Sequence, residues 1–247
     1  MKKILVIQTA FLGDVVLATA IIEKLRQQES TSQIDFLVRK GNETLLAAHP
    51  IIHKLYVWDK QQHKYANLFG ILKQIRAEKY DIVINLQRFF TTGLLTTFAN
   101  AGKTIGFENN PLSIFFSERH KHEVDKNKHE VERNQSLIAA FTGEKFAMPR
   151  LYPTPAQWEK TKQYKTKPYI CIAPTSVWFT KQYPADGWVS FINALPTGLN
   201  IYLLGANNDL VICEQIAQKS NKIVQVLCGK LNLLESAALM ADAMMNY

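Results

Sequence analysis

MKKILVIQTAFLGDVVLATAIIEKLRQQ, residues 1–28, decides the fold. The apolar run Ile4 to Ile7 reads as a buried strand, Phe11-Leu12-Gly13-Asp14 as a turn, and Val15 to Leu25 as a helix of 3.6-residue period. Asp14 therefore stands where the first strand hands over to the first helix. In an open α/β sheet, ligands sit beyond the carboxyl ends of the strands. Phosphate binders place glycines and backbone N–H groups there, because a helix N-terminus attracts anions. This turn holds a single glycine, so G-x-G-x-x-G is absent, and a carboxylate would repel a pyrophosphate. The turn leaves two roles open for Asp14: a base for a hydroxyl, or a helix cap.

Outward from that stretch, strand-like runs recur at 34–38, 54–58, 81–86, 104–107, 169–173, 200–204 and 223–227. Helical patterns fall at about 14–29, 65–78, 130–142, 187–195, 207–219 and 232–241. Alternating strands and helices predict parallel, doubly wound sheets. Residues 143–167 break the alternation with Pro149, Pro153 and Pro155. They read as a linker between two α/β domains, 1–150 and 151–247. The chain stops on a helix and the first residues of another strand. That ending implies a fragment whose second domain is incomplete.

A chain of 247 residues that is 47% apolar can build a real core, which excludes disorder. Its net charge of +8 sits mainly in the first 150 residues and suits an acidic ligand or an anionic membrane surface. No basic stripe is dense enough for nucleic acid. Cys171, Cys213 and Cys228 are odd in number and lack C-x-x-C spacing, which fits buried thiols in a reducing compartment. Lys2-Lys3, the apolar run and Ala18-Thr19-Ala20 imitate a secretory signal. Asp14 interrupts the apolar stretch, and cleavage after Ala20 would cut the first helix.

The second half repeats the pattern. The strand at 169–173 runs into PTSVWFTKQYPADGW, with Thr175 and Ser176 at its end, Lys181 beyond, and Pro184 opening a helix with Trp188 inward. Hydroxyls, a cation and backbone donors there suit a phosphate; the alternative is a loop whose aromatics pack the domain. ERHKHEVDKNKHEVER invites a metal reading through His120, His122, His129, Glu123, Asp125 and Glu130. Its spacing fits no zinc pattern and its charges cancel, so it reads as a solvated loop. Gln87 and Arg88 follow the strand at 81–86, at a ligand-facing edge or in an ordinary polar loop. Phe115 and Phe116, beside cations, suit a buried element or a membrane interface.

FLGDVVLATAIIEKLR, YDIVINLQ, KHEVERNQSLIAAFTG, PTSVWFTKQYPADGW and LCGKLNLLESAALMADA, in this order, make the chain similar to the ADP-heptose:lipopolysaccharide heptosyltransferase family, glycosyltransferase family 9. The resemblance implies the GT-B architecture: two Rossmann-like domains with a cleft between them lined by Asp14 and Lys181. The N-terminal domain takes a lipid-linked acceptor and the C-terminal domain the nucleotide sugar. It implies inverting, metal-independent transfer of a heptose from ADP-heptose to the lipopolysaccharide inner core, with no cofactor. Asp14 matches the catalytic aspartate. Thr175, Ser176 and Lys181 match the donor-phosphate site. Lys128 and Arg133, within KHEVER, match a segment beside the acceptor, which Gln87 and Arg88 would join. The resemblance also implies a cytoplasmic protein in peripheral contact with the inner membrane. Members continue with an Asp-Thr/Ser-Gly segment that helps hold the donor, so activity of this chain alone stays open. The alternatives are a GT-B glycosyltransferase with another sugar or acceptor, and a non-catalytic nucleotide-sugar binding protein. A dinucleotide dehydrogenase is disfavoured by the missing glycine motif.

Overall fold

The computed structural model describes residues 1–122, 128–143 and 145–247, and divides into two compact units, Met1–Tyr152 and Pro153–Tyr247. In the first unit the strands are β1 (Lys3–Ile7), β2 (Gln33–Arg39), β3 (Ile52–Trp58), β4 (Ile82–Asn85), β5 (Lys103–Phe107) and β6 (Glu118–His120). They form one parallel sheet in the order β3-β2-β1-β4-β5-β6. The helices are α1 (Leu12–Gln28), α2 (Glu43–Leu46), α3 (Lys64–Glu78), α4 (Phe90–Thr97), α5 (Glu130–Ser136) and α6 (Ala139–Thr142).

Strand β1 is central, with Ile4 to Ile7 fully buried on both faces, as a covered parallel strand requires. Leu5, Ile7, Tyr56, Trp58, Leu68, Ile75 and Leu95 build the core beneath α3 and α4. Helix α1 packs on α5 and α6. The chain leaves β1 toward β2 and β3, then crosses to β4 on the other side. A crevice therefore opens at the carboxyl ends of β1 and β4, where strand order reverses.

The second unit holds α7 (Pro155–Thr161), β7 (Tyr169–Ile172), α8 (Ala185–Ala194), β8 (Asn200–Leu203), α9 (Leu210–Lys219), β9 (Val224–Val226), α10 (Leu233–Ala241) and β10 (Met245–Asn246). Its sheet is parallel in the order β10-β7-β8-β9, which puts the strand reversal at β7. Ile170, Ile172, Ile192, Leu203, Cys213 and Ile216 form its core, with Trp188 packed against them. All three cysteines are buried, and burial pushes the Cys171 thiol up to about 12, so it stays protonated and inert.

Two expectations need correction, and one helix is unexpected. The linker reading of 143–167 fails at α7, which belongs to the second unit and packs on α10. Thr154 Oγ1 accepts the Gln157 N–H at 3.4 Å, Gln157 returns the bond to the Thr154 N–H at 2.7 Å, and Pro155 takes the first helical position. The helix expected over 130–142 is two. Leu137 and Ile138 donate three residues back, at 3.3 and 3.1 Å, and bury completely, which tightens and breaks the turn. Gln135 clamps the break by bonding both backbone groups of Ala147. Helix α4 escapes the pattern because FTTGLLTT is poor in helix formers; the Thr92 and Thr96 hydroxyls donate to the carbonyls of Phe89 and Thr92, both at 2.8 Å.

Candidate functional site

Asp14 occupies the third position of α1, and its Oδ2 accepts the backbone N–H of the N-cap residue Phe11 at 3.2 Å. The turn before it is fastened by Asn42, whose Nδ2 donates to the Ala10 carbonyl at 3.0 Å. The carboxylate lines a cavity of about 680 Å³ that also takes Arg39, Lys60, Gln87 and Arg88 into its wall. Each of these follows a strand carboxyl end: Asp14 after β1, Arg39 at the end of β2, Lys60 after β3, Gln87 and Arg88 after β4.

The cations are held differently. Lys60 Nζ donates to the Thr9 carbonyl at 2.7 Å and to Thr9 Oγ1 at 3.0 Å, and lies 4.8 Å from the centre of the Trp58 ring. Burial, reinforced by the charges of Arg39 and Lys64, pulls its ammonium down to about 8. The Arg39 guanidinium sits 4.8 Å from the centre of the Phe11 ring. Arg88 is exposed, 5.7 Å from the ring of Phe89.

An amide relay forms part of the wall. The Ala10 N–H donates to Gln8 Oε1 at 3.2 Å, and Gln87 Nε2 donates to the same oxygen. Gln87 is held besides by Asn85 Oδ1, which accepts its N–H at 2.9 Å, and by Asn110 Nδ2, which donates to its carbonyl at 2.8 Å. The relay orients Gln87: Gln8 must present oxygen to Ala10, so Gln87 must present its amino group to Gln8.

Gln87 and Arg88 thus share the wall with Asp14, whereas Lys128 and Arg133 do not. Lys128 lines a separate pocket with Glu132, Gln135 and Phe146. Arg133 Nε donates to Glu130 Oε2 at 3.0 Å and its Nη1 to the Lys128 carbonyl at 2.5 Å. His129 caps α5 through Nδ1, which accepts the Val131 N–H at 3.2 Å. His120 meets Glu118 at 2.8 Å and His122 meets Glu130 at 3.9 Å. Glu123, Asp125 and Lys126 lie outside the described residues. Among the described residues, no group of three or more His, Cys, Asp or Glu is arranged to hold a metal ion. Phe116 is buried, but Phe115 is 61% exposed.

In the second unit, Thr175 lines a cavity of about 580 Å³ with Gln182, Tyr183, Trp188 and Asp209. Ser176 Oγ accepts the Trp178 N–H at 3.2 Å, and Gln182 Nε2 donates to the Ser176 carbonyl at 2.6 Å. The Lys181 N–H donates to the Trp178 carbonyl at 2.9 Å, closing a tight turn that leaves the Lys181 side chain exposed. That side chain is outside the cavity lining.

Sequence reading missed Arg39 and Lys60. The usable signal is positional: both fall at the carboxyl ends of predicted strands, 34–38 and 54–58, where a parallel sheet places its ligand contacts.

Two parallel, doubly wound units, each with a cavity beyond its strand ends, make a two-domain α/β fold of the GT-B class. The model of glycosyltransferase family 9 (heptosyltransferase) matches residues 68–245, and the chain belongs to that family. It is 27% identical over 250 residues to lipopolysaccharide heptosyltransferase 3 of Escherichia coli, covering 94% of this chain and 73% of that protein. It is 24% identical to lipooligosaccharide heptosyltransferase 2 of Haemophilus ducreyi, covering 97% of this chain and 75% of that one. In fold it resembles the family 9 glycosyl transferase of Veillonella parvula, with a TM-score of 0.88 at 22% identity over 99% of this chain and 75% of that one. It also resembles E. coli ADP-heptose lps heptosyltransferase II, with a TM-score of 0.79 at 19% identity over 100% of this chain and 78% of that one.

Proposed function

We propose that this glycosyltransferase moves a heptose from ADP-heptose to a sugar of the lipopolysaccharide inner core, with inversion, on the cytoplasmic face of the inner membrane. The observation that carries the reading is Asp14 on the wall of a cavity that also holds Arg39, Lys60 and Arg88. The cavity's other carboxylate, Glu130, is paired with Arg133, and a carboxylate among cations suits a neutral hydroxyl that must lose a proton, on an acceptor that also bears anionic groups. The relatives named as lipopolysaccharide and lipooligosaccharide heptosyltransferases support that choice of acceptor.

In this reading the acceptor hydroxyl gives its proton to Asp14 as its oxygen bonds the anomeric carbon. The bond from that carbon to the diphosphate oxygen breaks on the opposite side, which inverts the centre, and ADP leaves with the electron pair. The Phe11 N–H holds one carboxylate oxygen, so the other is the base. Arg39, Lys60 and Arg88 meet acceptor carboxylates or phosphates. Thr175, Ser176 and Lys181 take the donor diphosphate and stabilise the charge that develops on it.

The test is turnover of ADP-heptose with a panel of truncated, de-acylated inner-core oligosaccharides, read as ADP release and product anomer. Release that depends on one core, with inversion, supports the reading. Binding of ADP-heptose without transfer to any core would leave a binding protein instead.

A further inference from the structure

Phe89, Phe90, Ile114 and Phe115 are 51, 55, 68 and 61% exposed, although large apolar side chains normally bury. They lie on two segments fastened by one residue. Asn110 Nδ2 donates to the Phe89 carbonyl at 3.1 Å, at the start of α4. The Asn110 carbonyl accepts the Ser113 N–H at 2.9 Å and its Oδ1 the Leu112 N–H at 3.0 Å, which folds residues 110–115 into a tight turn. Asn110 also packs so closely on Gly93 that a Cβ there would meet its Oδ1 at 2.2 Å. Asn110 thus ties the turn to the first turn of α4, and both segments carry exposed apolar side chains, Phe89 and Phe90 on one and Ile114 and Phe115 on the other. A fixed apolar patch of this kind marks an interaction surface.

Two features say what covers it. Phe89 and Arg88 also line the Asp14 cavity, so patch and cavity share an edge. The Arg88 guanidinium lies 5.7 Å from the Phe89 ring, and Arg119 and Lys121 are exposed on and just beyond β6, the strand that follows the turn. Aromatics that carry cations at their margin suit the boundary between acyl chains and anionic headgroups. We infer that Phe89, Phe90, Ile114 and Phe115 form the surface that seats this protein on an anionic lipid bilayer, holding the Asp14 cavity at headgroup level. The inference rests on the acceptor reading above: an acceptor with acyl chains stays in the bilayer, so the rim of its cavity must come to it.

Flotation with vesicles of phosphatidylglycerol and phosphatidylethanolamine tests this, against vesicles of phosphatidylcholine alone. The full chain should float with the anionic vesicles, and binding should weaken as salt rises. The double variant Phe90→Ser, Phe115→Ser alters exposed side chains outside the cavity lining. It should lose at least tenfold in partitioning while keeping wild-type thermal unfolding. Val211→Ser with Ile223→Ser, exposed positions in the second unit, should float like wild type. Equal flotation of the Phe double variant and wild type would overturn the assignment. So would a concentration-dependent dimer that the same variant abolishes, which would make the patch a protein interface. Turnover of a de-acylated acceptor separates the two readings. If wild type turns it over but flotation ignores the patch, only the membrane surface falls. If flotation needs the patch but no core oligosaccharide is turned over, the acceptor reading falls and the surface stands.

Discussion

Asp14 accepts the backbone N–H of Phe11 at 3.2 Å, so the carboxylate on the cavity wall is also the group that closes the first turn of α1. Capping and catalysis are therefore not rival roles for this residue. The cap fixes where the carboxylate sits, which is what a base needs, since proton transfer demands hydrogen-bond reach.

Asp14→Asn keeps an oxygen for the Phe11 N–H but offers no base. It should fold with a near-normal melting temperature and lose about 10²–10⁴-fold in kcat. Asp14→Ala should lose the same activity and, with the cap gone, about 1 kcal/mol of stability. Steady-state kinetics beside thermal melts of both variants read the two effects apart. Near-normal turnover by the Asn variant would leave Asp14 only a cap.

Lys181→Ala should weaken ADP binding by about ten- to a hundredfold, the equivalent of a charge-assisted hydrogen bond. The exposed side chain makes the contact sensitive to screening, so wild-type affinity should fall with salt and the variant's should fall less. Calorimetric titration of ADP at two ionic strengths measures both, and equal affinities would remove Lys181 from the donor site.

Lys60 provides a pH signature. Its ammonium, pulled down to about 8, carries charge below that pH and loses it above. Acceptor KM should therefore rise as pH passes through 8 to 9, because an anionic acceptor loses a partner. Lys60→Arg keeps its charge through that range and should flatten the rise. A KM profile as steep in the Arg variant would place the titration elsewhere.

His49 gives a stability signature in acid. It is buried, its Nδ1 accepts the Ile51 N–H at 3.4 Å, and burial lowers its pKa to about 4 from the usual 6.5. The folded state thus holds a neutral ring that the unfolded chain protonates first. The stability this supplies is whole above pH 6.5 and is lost as pH falls toward 4, up to about 3 kcal/mol. Denaturant melts at pH 7, 5.5 and 4 should show a smaller acid loss for His49→Gln than for wild type.

The fold is legible because its signals are local. Ile4 to Ile7 are continuous in apolar character because the strand buries both faces. Thr154-Pro155-Ala156-Gln157 carries a complete capping signature for α7, yet Pro155 also reads as a linker residue. The break at Leu137 and Ile138 has no such signature: both are good helix residues, and the clamp from Gln135 to Ala147 that fixes it spans a loop.

By itself the sequence determined the alternation of strands and helices, the parallel sheets that follow from it, and the position of Asp14 at the first strand end. Each rests on periodicity or turn chemistry within a few residues. Only the tertiary structure decided that Arg39, Lys60 and Gln87 join Asp14 on one wall, while Arg133 is spent on Glu130 and Lys128 lies on another pocket. It also decided that Phe115 stays exposed while Phe116 buries. Residues so far apart along the chain meet because strand order β3-β2-β1-β4 sets their carboxyl ends side by side. That order is fixed by long-range burial of the sheet's two faces, and no short window of sequence contains it.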